Sequence, residues 1–267
     1  MNQPKRFMTL VAFVATLLLL LPAVAFADLE SIQEEGEVTL VMSGGYPPFS
    51  MIDEDGNLIG FDADVAVALA ERLGVEPVLQ QAEFATIIAG IQAGAFDVSV
   101  ASHARTEERA RAVTYMDEPY YYSGAQLFVP TDSEFSSYEE LREAGAAIAV
   151  DLGGTNQQWL EDDGYPNITT YSGVQESLLA VQSGRAAAIF TSPIVGNLAI
   201  RDEGLDLKPI DELLFQENAY ITIANNQPEL KAAIEEALDA MREDGTLAAI
   251  SEEWVGADIT TPPSSDE

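Results

Sequence analysis

Two short stretches of this chain can be laid on each other. IQAGAFDVSVAS at 91–102 and VQSGRAAAIFTS at 181–192 both read as a helix end, a glycine, a β-rich run and a small polar residue. A second pair, VMSGG at 41–45 and VDLGG at 150–154, runs from strand-like residues into a Gly-Gly turn. Chance could produce either match alone. Together they predict two similar halves, each built on one α/β sheet, and so restrict the fold more than any single motif. The segments between them agree. Residues 38–43 are β-rich. A helix from Asp62 carries Val65, Leu69 and Leu73 at four-residue spacing and ends at Gly74. Residues 84–94 read as a helix, and 96–102 as a strand with Phe96, Val98 and Val100 on one face. Further strands are read at 146–150, 167–171 and 186–190. Leu230, Ile234, Leu238 and Met241 form an apolar helical stripe, Gly245 breaks it, and 246–254 make a last short helix before a polar tail. Strand–helix alternation of this kind predicts an α/β fold with mostly parallel sheets flanked by helices.

In open α/β sheets a ligand sits beyond the carboxyl ends of the strands. The candidate site loops are then 43–50, 101–109, 151–157 and 191–193, with 215–220 where the chain crosses back. Two halves whose strand ends face each other enclose a cleft.

Charge limits the partners. The 267 residues hold 12 Lys+Arg against 45 Asp+Glu, a net charge of −33. Residues 1–27 start with Lys5 and Arg6, continue as an apolar run and end in Ala25, Phe26 and Ala27, an A-x-A cleavage pattern. They are expected to be a secretory signal peptide rather than a retained membrane helix. The remaining surface has no basic face, which excludes nucleic acid and anionic lipid as partners. A surface so acidic repels itself in dilute buffer and is relieved by salt screening. A salty habitat and an ordinary acidic secreted protein fit this equally well. The chain has no cysteine, so neither a disulfide nor a lipid-anchored cysteine after the signal is available. Asp28 stands at that position instead. A soluble, monomeric periplasmic protein is expected.

Against this background Arg105, Arg109 and Arg111 cluster within seven residues, beside His103, the one histidine. Thr106 suits a helix N-cap, and Glu107 and Glu108 suit a first turn. Arg109 then falls at the third helical position. It follows the loop at 102–105 that ends a strand. A guanidinium there can grip a carboxylate with two parallel hydrogen bonds. A surface ion pair is the alternative, and Arg105 and Arg111 are assigned to it.

GGYPPFS, GNLIGFDADVAVALAERLG, IIAGIQAGAFDVSVAS, RTEERARAVTYMDEPYYYSG, IAVDLGGT and MREDGTLAAISEEW, in that order from about Glu37 to Val255, resemble the family 3 extracellular solute-binding proteins. These are polar-amino-acid receptors of ABC importers with the type 2 periplasmic-binding fold, two lobes joined by a hinge. The resemblance implies a first lobe from 28–126 and 218–257, a second from 127–217, and a polar tail at 258–267. It implies a bound amino acid or related zwitterion, an importer permease as partner, and no cofactor. Arg109 would hold the ligand carboxylate, helped by backbone at Ala104 and by Thr155, with Tyr46 and Phe61 as aromatic contacts. Ser102 and Asn156 lie on the same loops. Family members often place an aspartate where this chain has Thr191, and some place one at Ser43. Without them, Glu217 is the first candidate to meet a ligand ammonium and Asp151 the second. Ala104 replaces a serine often found at the carboxylate site. A ligand role for His103 stays open, as does a compatible solute held by aromatic rings.

A second function is compatible with the same fold. GGTN at 153–156, Thr191-Ser192 and Glu217 also resemble periplasmic cyclohexadienyl dehydratase, in which Glu217 would act as a general acid kept protonated by an apolar site.

Overall fold

The computed structural model describes residues 28–263; the expected signal peptide lies outside them, as do residues 264–267. In chain order the elements are α1 (Leu29–Glu35), β1 (Glu37–Met42), β2 (Gly45–Tyr46), β3 (Ser50–Ile52), β4 (Leu58–Ile59), α2 (Phe61–Leu73), β5 (Glu76–Gln81), α3 (Phe84–Gln92), β6 (Val98–Ala104), α4 (Glu107–Ala112), β7 (Val113–Tyr115) and β8 (Gly124–Pro130). They continue as α5 (Tyr138–Ala144), β9 (Ile148–Asp151), α6 (Thr155–Asp162), β10 (Ile168–Tyr171), α7 (Val174–Gln182), β11 (Ala188–Thr191), α8 (Pro193–Asp202), β12 (Leu207–Gln216), β13 (Ala219–Ala224), α9 (Pro228–Glu243) and α10 (Thr246–Val255).

Two five-stranded sheets result, ordered β5-β1-β6-β13-β7 and β10-β9-β11-β8-β12. The repeats fall on equivalent places: β1 and β9 are second in their sheets, and β6 and β11 are third. The strands are short and apolar because most are covered on both faces. In β9, Ile148 and Val150 pack into one cluster with Phe190, while Ala149 between them faces the other cluster. The stripe Leu230, Ile234, Leu238 and Met241 on α9 is buried as its spacing predicts.

The sheets are mixed in their pairing. The first three strands in each order are paired parallel, whereas β6–β13, β13–β7, β11–β8 and β8–β12 are paired antiparallel, so that one strand in each sheet, β13 or β8, runs against the other four. Antiparallel strands need no crossover helix, so a search for strand–helix alternation passes over β7, β8, β12 and β13. The edge strand β5 opens on Glu76 and Pro77, which hides it as well.

The chain passes between the lobes twice, side by side. The Glu217 N–H donates to the Ser123 carbonyl at 3.0 Å, and the Ala219 N–H to the Tyr121 carbonyl at 3.0 Å. Tyr120 and Tyr121 are buried against Phe49 and Phe61, with Phe49–Tyr121 stacked at 4.7 Å and Phe61–Tyr120 at 5.8 Å. The expected polar tail is partly tied down: the Tyr122 N–H donates to the Ile259 carbonyl at 2.8 Å, and the Ile259 N–H to Ser251 Oγ at 3.0 Å.

Candidate functional site

The carboxyl ends of both sheets face one cavity of about 60 Å3. All five sequence-derived loops reach it. Ser43, Gly45, Tyr46, Ala101, Ser102, Ala104 and Arg109 line it from the first lobe, and Asp151, Gly154, Thr155, Asn156 and Thr191 from the second. Glu217 lines it from the returning crossing. The lobes touch around it. A Cβ added at Gly173 would lie 2.8 Å from the Gly45 carbonyl oxygen, and one at Gly153 2.9 Å from Ala85 Cβ.

Arg109 is set by its local sequence. Thr106 Oγ1 accepts from the Arg109 N–H at 3.1 Å, which caps α4. The guanidinium then turns back. Nη1 donates to the Ala104 carbonyl at 3.0 Å and Nη2 donates across the cleft to the Gly153 carbonyl at 2.8 Å. Its carbon stands 5.6 Å from the centre of the Phe84 ring. A guanidinium has five N–H donors, so its fork keeps donors for a ligand oxygen. The other two arginines serve the surface. Arg111 pairs with Glu107 at 3.5 Å, and Arg105 stands 5.7 Å over Tyr115 rather than in an ion pair.

Two carboxyl groups share the cavity with this cation. Glu217 accepts from Thr155 Oγ1. Burial raises its carboxyl above the usual range, opposed by the Thr155 hydrogen bond and the Arg109 charge. Asp151 accepts from Ser177 Oγ at 3.3 Å. Burial pushes it up to about 7, against that hydrogen bond and with the Glu217 and Glu176 charges adding to the rise. The Tyr46 phenol is also pushed up, by burial and then by Asp151 and Glu217, and stays neutral. Asn156 Nδ2 donates to the Phe190 carbonyl at 3.0 Å, while its Oδ1 is buried without a partner. Thr191 Oγ1 is buried beside the Tyr46 hydroxyl.

Ser102 has a left-handed backbone, φ 55°. It is held there from behind: its N–H donates to Tyr120 Oη at 2.9 Å and its Oγ donates to Asp62 Oδ2 at 2.9 Å, while Tyr120 Oη donates to Asp62 Oδ1 at 2.6 Å. The Ser102 hydroxyl is therefore committed to Asp62. Asp62 is fully buried, and burial pushes its carboxyl up to about 7 against those two hydrogen bonds. The unfolded value is near 3.8, so the folded state binds the extra proton between about pH 4 and 7. Its contribution to stability is present at low pH and lost as pH rises through 7. The shift is worth about 4 kcal/mol in total. Asp62→Asn, which mimics the neutral form, is expected to flatten this slope. Urea unfolding of both proteins from pH 5 to 8 checks it, and parallel curves would refute the buried titration.

Phe61 is not at the cavity. As first residue of α2 it donates its N–H to the Pro48 carbonyl at 3.0 Å, and its ring is fully buried beneath Phe49, Tyr120 and Tyr121. The aromatic residues there are Tyr46, as expected, and Phe84, which reads as the start of a helix but not as part of the site. It follows the unrecognised strand β5. Ser172 and Gly173 also line the cavity. They follow the recognised strand β10, and the rule used for the other loops would have found them. His103 lies off the cavity wall: it is buried, stacks on Phe84 at 4.5 Å and has Nδ1 3.3 Å from Ser99 Oγ. Burial, and then Arg109, hold it neutral.

Among the described residues no group of His, Cys, Asp and Glu is arranged to hold a metal ion, and no helix is long and apolar enough to cross a membrane. The site can bind and orient an ion-bearing small molecule between two lobes.

Residues 38–257 match the bacterial extracellular solute-binding proteins, family 3. The L-cystine-binding protein TcyJ of Escherichia coli K12 is 28% identical over 242 residues, 88% of this chain and 90% of its own length. A mutant of ArgBP from T. maritima superposes with a TM-score of 0.79 at 27% identity, covering 85% of this chain and 99% of that one. The ancestral amino acid-binding protein AncCDT-1, a precursor of cyclohexadienyl dehydratase, superposes with a TM-score of 0.78 at 30% identity over 85% of this chain and 99% of its own. A two-lobed frame, a shared cavity at the strand ends and a match over nearly all described residues converge, and the chain belongs to the bacterial extracellular solute-binding proteins, family 3.

Proposed function

We propose that this protein captures an amino acid or a closely related small zwitterion in the periplasm and delivers it, chemically unchanged, to the permease of an ABC importer. One observation carries the reading: Arg109 reaches from one lobe to the Gly153 carbonyl of the other inside a cavity that also holds the Glu217 carboxylate. A half-buried cation beside a half-buried anion complements a zwitterion, and the cation itself links the lobes. The ligand carboxylate sits on the free donors of Arg109. Its ammonium meets Glu217, in place of the aspartate replaced by Thr191. Tyr46, Ser102, Ala104, Thr155 and Asn156 shape the rest of the wall. Residues 28–126 with 218–257 form one lobe and 127–217 the other, and the paired crossings beside Ser123 and Glu217 act as the hinge. A monomer suits this role because both rims of the cleft stay free for the permease. The dehydratase reading needs Glu217 as a proton donor. Burial raises the Glu217 carboxyl, as an acid role also requires, but Glu217 accepts from Thr155 and shares the cavity with Arg109, an arrangement that suits a carboxylate used for binding.

Thermal unfolding of residues 28–267 against amino acids, ectoine, betaine, diacids and prephenate tests the proposal. A ligand at 100 times its Kd adds about 2.7 kcal/mol of stability. A clear rise in Tm with an amino acid or compatible solute is expected. Conversion of prephenate with no zwitterion shift would replace binding by catalysis. The excess of 45 acidic over 12 basic residues also leads us to expect that Tm rises from low to molar salt, as screening relieves surface repulsion. A salt-independent Tm would remove the case for a salty habitat.

A further inference from the structure

Glu217 answers one positive charge on a ligand, and the cavity contains a second carboxylate that this leaves over. Asp151 ends strand β9 and lines the cavity from the second lobe. Its side-chain hydrogen bond is a long one, 3.3 Å from Ser177 Oγ. The charges that act on it are Glu217 and Glu176, both negative, whereas the Arg109 charge acts on Glu217. A carboxylate can accept about four hydrogen bonds and is costly to shield from water without a cation. One more oxygen atom of the same wall, Asn156 Oδ1, is a buried acceptor without a partner.

Resting on the zwitterion reading, we infer that Asp151 receives a second cationic group, carried by the ligand side chain, and that the cargo is a basic amino acid. With the ligand carboxylate on Arg109 and its α-ammonium on Glu217, a side-chain ammonium or guanidinium neutralises Asp151. Its several N–H donors leave one available for Asn156 Oδ1. A neutral side chain leaves Asp151 facing Glu217 and Glu176 uncompensated. An acidic one adds a fourth negative charge beside Asp151, Glu217 and Glu176.

Isothermal titration at pH 7.5 with matched pairs tests this: lysine against norleucine, arginine against citrulline, and 2,4-diaminobutyrate against homoserine. We expect one basic member to bind at least about 100-fold tighter than its neutral partner, the scale of a buried charge pair. Asp151→Asn should remove most of that preference while changing the affinity for the neutral partner only a few-fold. The comparison within the unmodified protein stands even if the variant does not fold. Equal or tighter binding of a neutral amino acid overturns the inference and leaves the zwitterion reading intact. A preference for the basic member that survives in a folded Asp151→Asn variant overturns the role of Asp151. Absence of binding by every pair overturns the inference, and the reading on which it rests falls with it only if no other amino acid or zwitterion raises Tm.

Discussion

Arg109→Ala is expected to weaken binding of the cognate zwitterion by roughly 100-fold or more while leaving the fold intact. Breaking a shielded ion pair by removing one partner costs about 3–5 kcal/mol, because the other charge stays buried and unpaired. On the proposed binding mode the stranded charge is the ligand carboxylate, and Glu217 lies in the same cavity to repel it. The variant also loses the Nη2 hydrogen bond to the Gly153 carbonyl, a direct contact between the lobes, so closure is weakened together with ligand contact. Stability should change little, since the Thr106 cap of α4 bonds to the backbone N–H and survives. Arg109→Lys keeps the charge but not the planar fork, and should recover only part of the affinity. Calorimetric titration with the ligand that raises Tm most in the unmodified protein decides the matter. Unchanged affinity in a folded Arg109→Ala variant would remove Arg109 from the site.

Gly60→Ala is expected to be the most damaging small substitution in the first lobe. Gly60 has φ 123°, which side-chain-bearing residues rarely adopt. An added Cβ would lie 2.4 Å from the Phe49 carbonyl oxygen and 2.7 Å from that of Pro48. Those same two carbonyls accept from the Asp62 N–H at 2.8 Å and the Phe61 N–H at 3.0 Å, and so start α2. The methyl group cannot be placed without parting the 48–49 turn from the helix that carries Asp62. Strain of about 1–3 kcal/mol adds to lost hydrogen bonds of about 1 kcal/mol each. A total near 4 kcal/mol lowers Tm by roughly 8–16 °C in a protein of this size. Gly56→Ala is the control. Its φ is also positive, 88°, but nothing lies within 4 Å of the added Cβ, so it should cost about 1 kcal/mol. Equal melting of the two variants would show that the close approach at Gly60 is relieved cheaply.

Much of this molecule could be read along the chain because the relevant signals are local. The stripe on α9, the Thr106 cap that aims Arg109, and the paired glycine turns after β1 and β9 each depend on residues a few positions apart. The repeats placed β1 with β9 and β6 with β11, and the strand-end rule then brought five loops to one cavity. Other features depend on contacts between residues far apart in sequence. Thr155 and Glu217 are 62 residues apart, and Arg109 and Gly153 are 44 apart. No periodicity records that they meet. The antiparallel strands β8 and β13 lack the helices that mark parallel neighbours. Phe61 and Phe84 look alike as aromatic residues at helix starts, yet packing against Phe49, Tyr120 and Tyr121 encloses the first and leaves the second facing Arg109. The same holds for charge. The composition records an excess of acid, but close packing is what buries Asp62 fully and Asp151 and Glu217 in part, and turns three of many carboxylates into groups with raised affinity for a proton.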